Sequence, residues 1–129
     1  MTPQGICTLA LAMLSQTPEE SEDLMALSPA WLTVLCAECL DTENSIRRQK
    51  GAEPLAAAPV ITAEEMDKPL DMAEAICRIA LPYGLAACYY ADDDNDYRAA
   101  DYRARFVGAL AEATRMKSEE IKDVYGGEA

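Results

Sequence analysis

A hydroxyl residue followed at once by proline occurs three times near the start of the chain, at Thr2-Pro3, Thr17-Pro18 and Ser28-Pro29. Proline at the first helical position gives up an N–H that would lack a partner anyway, and the preceding Ser or Thr can cap, so each pair marks a helix start. Behind Thr2-Pro3, the residues Ile6, Leu9, Ala10, Met13 and Leu14 follow the i, i+3, i+4, i+7 spacing of one helix face and predict a helix over 3–15. Thr17 and Glu20 have capping-box spacing, which predicts a second, short helix ending before Ser28. Ser28-Pro29 predicts the clearest helix, running to Arg48 with Gly51 just past its end. On it Leu32, Leu35, Cys36, Cys39 and Ile46 share a sector, while Val34, Asp41, Ser45 and Arg48 fall opposite.

The punctuation then changes. Residues 51–69 place Gly51, Pro54, Pro59 and Pro69 around Val60-Ile61-Thr62, a composition that cannot sustain a long helix and predicts an extended arm, with a strand or one helical turn at Thr62 to Asp67. A further helix is expected from Leu70 or Asp71 through Met72, Ile76, Ile79 and Ala80, kinking or restarting at Pro82 and ending near Ala91. Asp92-Asp93-Asp94-Asn95-Asp96 reads as a turn and an acidic helix start. The helix from Asp96 to Met116 sets Tyr102, Phe106, Leu110 and Ala113 on one stripe, with Arg98, Arg105 and Glu112 toward water. Ser118 with Glu119 and Glu120 caps a last turn, and residues 118–129 form a tail. The expected fold is all-α: one domain over residues 1–129, a small bundle of four to five helices with a proline-containing arm in the middle.

Charge and missing residue types narrow the function. With 23 acidic against 11 basic side chains, a net charge of −12 opposes static binding to DNA or RNA, which depends on Lys and Arg displacing counterions. The chain has no histidine, and so lacks the commonest general base and metal ligand. Five cysteines, Cys7, Cys36, Cys39, Cys77 and Cys88, spread through apolar runs, suit buried free thiols in a reducing compartment. No basic residue precedes the N-terminal apolar stretch, and the apolar run from Ala73 to Ala91 is interrupted by Glu74, Arg78 and Pro82, so neither a secretory signal nor membrane insertion is expected.

The candidates for chemistry are weak. Asp92, Asp94 and Asp96 match the first ligand positions of a calcium loop, but Tyr97 stands where glycine is required and Arg103 where glutamate is. Cys36-Ala37-Glu38-Cys39 has redox or zinc spacing, yet both sulfurs lie on the apolar side of a helix, and Cys77 and Cys88 would complete four thiolates only if the fold converged them. The adjacent pairs Glu19-Glu20, Glu64-Glu65 and Glu119-Glu120 point apart on a helix, and no glycine loop cradles a phosphate. No catalytic residue, cofactor or metal is therefore assigned. What stands out is the apolar, tyrosine-bearing segment Ala80 to Tyr90, where Gly84, Ala86 and Ala87 permit close approach of another backbone.

The run ALPYGLAACYYADDD, followed by DYRAADYRARFVGAL and closed by IKDVYGG, resembles the small helical head-tail connector, or adaptor, proteins of tailed phages and prophages. LCAECLDTENSIRRQKG is similar to the acidic second helix of such proteins, followed by the proline-rich arm. The resemblance implies a non-enzymatic structural protein of the virion neck, assembled in the bacterial host cytoplasm. It would form an oligomeric ring between the portal protein and the tail or stopper proteins, without a membrane. A heterologous ring needs two different complementary patches on each copy. The candidates are Pro59, Val60 and Ile61 in the arm, Tyr83, Tyr89 and Tyr90 in the apolar segment, and Ile121, Val124 and Tyr125 near the C-terminus. An acidic lining suits a channel through which DNA passes without sticking. The competing expectation is an acidic regulatory protein or DNA mimic that occupies the basic groove of a host protein, although Arg98, Arg103, Arg105, Arg115 and Lys117 interrupt its acidic array.

Overall fold

Four helices carry the chain: α1 (Pro3–Ala12), α2 (Glu22–Gln49), α3 (Leu81–Asp92) and α4 (Asp96–Gly126). In this computed structural model the backbone is described over residues 1–126 and the side chains over residues 1–115, and no strand occurs among the described residues. Ile121, Val124 and Tyr125 thus lie outside the side chains described. Their backbone belongs to α4, which continues past the turn expected at Ser118.

α1 begins as expected, with the Gly5 amide donating to Thr2 Oγ1 at 3.1 Å. Its buried face comprises Pro3, Ile6, Cys7, Ala10 and Leu11; Leu9, expected inside, is 38% exposed because Cys7 and Leu11 take the inward positions. Three helix ends close with the same pair of bonds. Past α2 the Gly51 amide reaches Arg48 O at 3.1 Å and the Ala52 amide Arg47 O at 2.8 Å, with Gly51 left-handed at φ +73°. Ser15 and Asp94 take the corresponding left-handed position after α1 and α3, at φ +58° and +56°. Asp94 therefore turns the chain, and it is Asn95 that caps α4, its Oδ1 accepting from the Arg98 amide at 3.2 Å.

Ser28-Pro29 does not open a helix. Thr17-Pro18 starts only the 3₁₀ turn Pro18–Glu20, and α2 then runs unbroken for 28 residues with Pro29 inside it, about 42 Å at the usual rise. An interior proline costs about 3 kcal/mol of helix stability, offset here by tertiary packing. Ser28 is fully buried and its hydroxyl is spent on Leu24 O at 2.7 Å and on Tyr89 Oη at 2.7 Å. The sector expected inward is inward: Leu32, Leu35, Cys36, Cys39 and Ile46 are all buried, and Val34 is 61% exposed. Because α2 is continuous, it holds an 18-residue window of mean hydropathy 1.4 of which only 28% is buried. By length and composition alone it is long enough to cross a membrane; in this fold it is one wall of a bundle.

The arm is laid back along α2. Asn44 clamps Leu55 from both sides, its Oδ1 accepting from the Leu55 amide at 2.8 Å and its Nδ2 donating to Leu55 O at 3.1 Å. Further on Thr33 Oγ1 accepts from the Ile61 amide at 2.9 Å. The helical turn expected near Thr62 is the 3₁₀ segment Ala63–Glu65. The arm then joins α1, where the Gln4 amide donates to Met66 O and the Leu70 amide to Met1 O, each at 2.9 Å.

Helical backbone resumes at residue 74, later than expected, and Pro82 neither breaks nor restarts it. A π-helical segment, Ile76–Ala80, feeds into α3 with the Leu81 amide bonding to Ile76 O. The wider turn absorbs the N–H missing at Pro82 and leaves Leu81 and Pro82 at the first positions of α3. α3 is the hub of the bundle, touching α1, α2 and α4. An alanine Cβ at Gly84 would stand 2.8 Å from Leu35 Cδ2 and 2.9 Å from Phe106 Cδ1. The close approach read from Gly84 is therefore that of a leucine and a phenylalanine side chain, not of a backbone. Tyr102, Phe106, Leu110 and Ala113 form the inward stripe of α4, as their spacing requires.

Candidate functional site

The residues nominated from sequence separate into core and surface. Tyr89 is fully buried, with its ring edge-on to Trp31 at 5.7 Å, and Ile61 is the buried residue of the arm. Both belong to the interior and are tied to α2, Tyr89 through its hydroxyl at Ser28 and Ile61 through its amide at Thr33. Pro59 is half-buried and Val60 is 68% exposed. These two border a small cleft of about 200 Å³ between the arm and the N-terminus, with Pro3 and Leu70 on its other wall.

Tyr83 and Tyr90 are half-buried and meet through α4. The Tyr90 ring stacks on Tyr102 at 5.4 Å, Tyr83 tilts against Tyr102 at 6.1 Å, and the Arg105 guanidinium lies 4.9 Å over the Tyr102 ring. Tyr90 Oη donates to Met13 O at 3.1 Å, which ties the end of α1 to this group.

Two features escaped the sequence reading. The first is Glu43, 3% exposed on the inward face of α2. Its Oε2 accepts from Arg47 Nε and its Oε1 from the Ala73 amide, both at 2.7 Å. The carboxylate thereby caps the segment leading into α3 from another helix. Arg47 spans from it to Asp71 Oδ1 at 3.1 Å and to Glu53 O at 3.4 Å, tying both ends of the arm to α2. The i, i+4 spacing of Glu43 and Arg47 was visible, but such pairs are usually solvated.

The second is the outer face of α2. Ala26, Leu27, Ala30, Val34 and Ala37 are exposed and share the side opposite Leu32 and Cys36, with no charge among them. Beside this ridge Arg103 of α4 grips Glu38 through both guanidinium nitrogens, at 2.9 and 2.5 Å; these bonds hold the Glu38 carboxyl below its usual range. Arg103 also borders an open, largely apolar groove of about 340 Å³ between α3 and α4, whose walls include Ala87, Cys88, Ala91 and Ala100.

A third surface is acidic. A cleft of about 500 Å³ lies where α1, the turn after it and the start of α2 meet the end of α3. Glu19, Glu20, Glu22, Asp23, Asp92 and Asp93 line it, with no basic residue.

The thiols are chemically quiet. Burial pushes Cys36 up to about 12 and Cys77 to about 11, and moves Cys7 and Cys39 upward as well, so all four are protonated at neutral pH. Among the described residues no three His, Cys, Asp or Glu side chains converge as a metal site requires. Compared with family models, with curated proteins and with solved structures, the chain matches none.

Proposed function

We propose that the protein is a structural subunit of a phage or prophage neck, a head-tail connector that assembles as a ring between portal and tail components with DNA passing through its channel. The observation that carries this reading is the surplus of apolar surface on α2, whose most hydropathic stretch is only 28% buried although the chain carries a net charge of −12. Uncharged helix surface on so acidic a body is what a partner covers. Support also comes from the tyrosine-rich α3 and α4 segments that resemble the connector family. The test is electron microscopy of the chain mixed with the portal protein of its own phage. Rings seated on the portal are expected, and removal of residues 119–129 should abolish them while the helices up to residue 118 persist. A portal left bare at saturating chain overturns the reading.

The acidic cleft favours a second reading, a regulator that engages a basic host protein. Six carboxylates facing one concavity attract Lys- and Arg-rich segments. Such a complex forms at fixed stoichiometry and weakens steeply between low and high salt, whereas a contact through the apolar ridge of α2 strengthens or holds.

A further inference from the structure

α4 has a second face that the bundle does not use. Its inward stripe, Tyr102, Phe106, Leu110 and Ala113, packs toward α2 and α3. On the opposite side stand Tyr97, Ala100, Ala104, Val107 and Ala111, all exposed, Tyr97 at 84% and Val107 at 54%. These positions recur at alternating steps of three and four residues, and the same spacing continues in sequence through Thr114, Ser118, Ile121 and Tyr125. Not one of the nine is charged, although twelve of the 31 residues of α4 are. A helix that packs by one stripe keeps charge on the other side. An uncharged row with a mean step of about 3.5 residues is instead the seam of a coiled coil. Gly108 borders this seam. Glycine weakens a helix interior relative to alanine, yet a Cβ here would meet nothing within 4 Å, so the chain's own packing gives no reason for it. Close approach by another helix does, and Ala100, Ala104 and Ala111 are small enough to permit it.

We infer that the outer seam of α4 pairs with the same seam of a second copy, antiparallel, to form a two-fold dimer. The occupant follows from the charges that flank the seam. At its N-terminal end these are Asp96 and Asp101, and toward its C-terminal end Arg115, Lys117 and Lys122. Arg103, between them, is held by Glu38 of α2 and is left out of the count. Run in parallel, two such helices set Asp96 beside Asp101 and Lys117 beside Lys122, like against like at both ends. Reversed, the acidic end of each helix lies beside the basic end of the other, so one surface supplies both halves of the contact, twice over by symmetry. The pairs Asp101–Arg105 and Glu112–Arg115 lie along a single helix with both members about half-exposed. Exposed pairs of that kind are weak, and a facing chain can share their charges. The inference goes beyond the connector reading and does not rest on it, since an isologous contact closes on two chains and needs no portal.

Sedimentation of the full chain over a concentration series tests it. Wild type is expected at twice its 14.0 kDa mass. Val107→Glu, and separately Ala104→Glu, should run as monomers with unchanged helical circular dichroism, whereas Val34→Glu on the exposed face of α2 should remain dimeric. Charge reversal reads the orientation. Chains carrying Asp96→Lys with Asp101→Lys, and chains carrying Arg115→Glu with Lys117→Glu, should each be monomeric alone and form dimers when mixed, since acid then faces base at both ends. If the Arg115→Glu, Lys117→Glu chain associates alone as well as wild type, the pairing is parallel and the inference falls. A mixture no more associated than its components overturns it too, as do dimers that survive both Val107→Glu and Ala104→Glu. So does dissociation by Val34→Glu without dissociation by Val107→Glu, or a wild-type chain that stays monomeric to about millimolar concentration.

Discussion

The hydroxyls of Ser28 and Tyr89 lie 2.7 Å apart inside the bundle, joining the seventh residue of α2 to α3 across 61 positions of sequence. Ser28 donates to Leu24 O, so the proton between the two hydroxyls comes from Tyr89. A residue type that favours helix starts is thus used here as a buried acceptor, with Pro29 carried inside the helix behind it.

This pair predicts an asymmetry. Tyr89→Phe removes a donor and leaves Ser28 bonded to Leu24 O, a cost of about 1 kcal/mol. Ser28→Ala strands the Tyr89 hydroxyl in the core and should cost more, about 2 kcal/mol. The double substitution should cost less than the sum, since the stranded group is gone. Urea denaturation of the three variants reads this directly, and additive losses would refute the bond.

Glu43 should hold the arm more than it holds the helices. Glu43→Ala leaves the Ala73 amide and one face of Arg47 without a partner, while Arg47 keeps Asp71. A loss of about 2 kcal/mol is expected, with proteolysis and amide exchange rising first across residues 51–73. Uniform exchange across α1 and α4 instead would show that the carboxylate does not act through the arm.

Gly84 sits where α2 and α4 side chains press on α3. Alanine there gains about 1 kcal/mol of helix propensity but meets Leu35 and Phe106 inside van der Waals contact, an overpacking cost of about 1–3 kcal/mol. Gly84→Ala should therefore lower the thermal midpoint. In a Leu35→Ala background the same glycine substitution should cost less than it does in the wild type, because the clashing methyl is removed. A stabilised single variant would contradict the packing.

Alkaline pH should unfold the chain. In the unfolded state thiols ionise near about 8.5, whereas burial pushes Cys36 to about 12 and Cys77 to about 11 in the fold. Above the unfolded value the open chain releases protons that the folded chain retains, so folding free energy falls as pH rises, by about 1.4 kcal/mol per unit for each such thiol until its folded value is reached. Below about pH 8 these groups contribute no slope. Urea midpoints measured from pH 7 to 10.5 test the sign, and a flat profile would place the thiols in water.

The amino-acid order alone determined what short-range physics controls. Thr2, Gly51 and the Leu32, Leu35, Cys36 and Cys39 sector were legible because caps and helical periodicity depend on neighbours within one or two turns. The all-α class and the break at the proline-containing arm followed from the same rules. Tertiary packing decided the rest. It carried α2 through Ser28-Pro29, since Tyr89 offered the serine a bond worth having in the core, and it placed a π-turn before Pro82. It drew the arm onto α2 through Asn44, Thr33 and Arg47, and it buried Tyr89 while leaving Leu27 in water. Local propensities amount to fractions of a kcal/mol for most residues and about 3 kcal/mol for an interior proline, a buried hydrogen bond contributes about 1 kcal/mol, and each buried large apolar side chain about 2 kcal/mol; summed over a helix face, contacts between residues distant in sequence prevail.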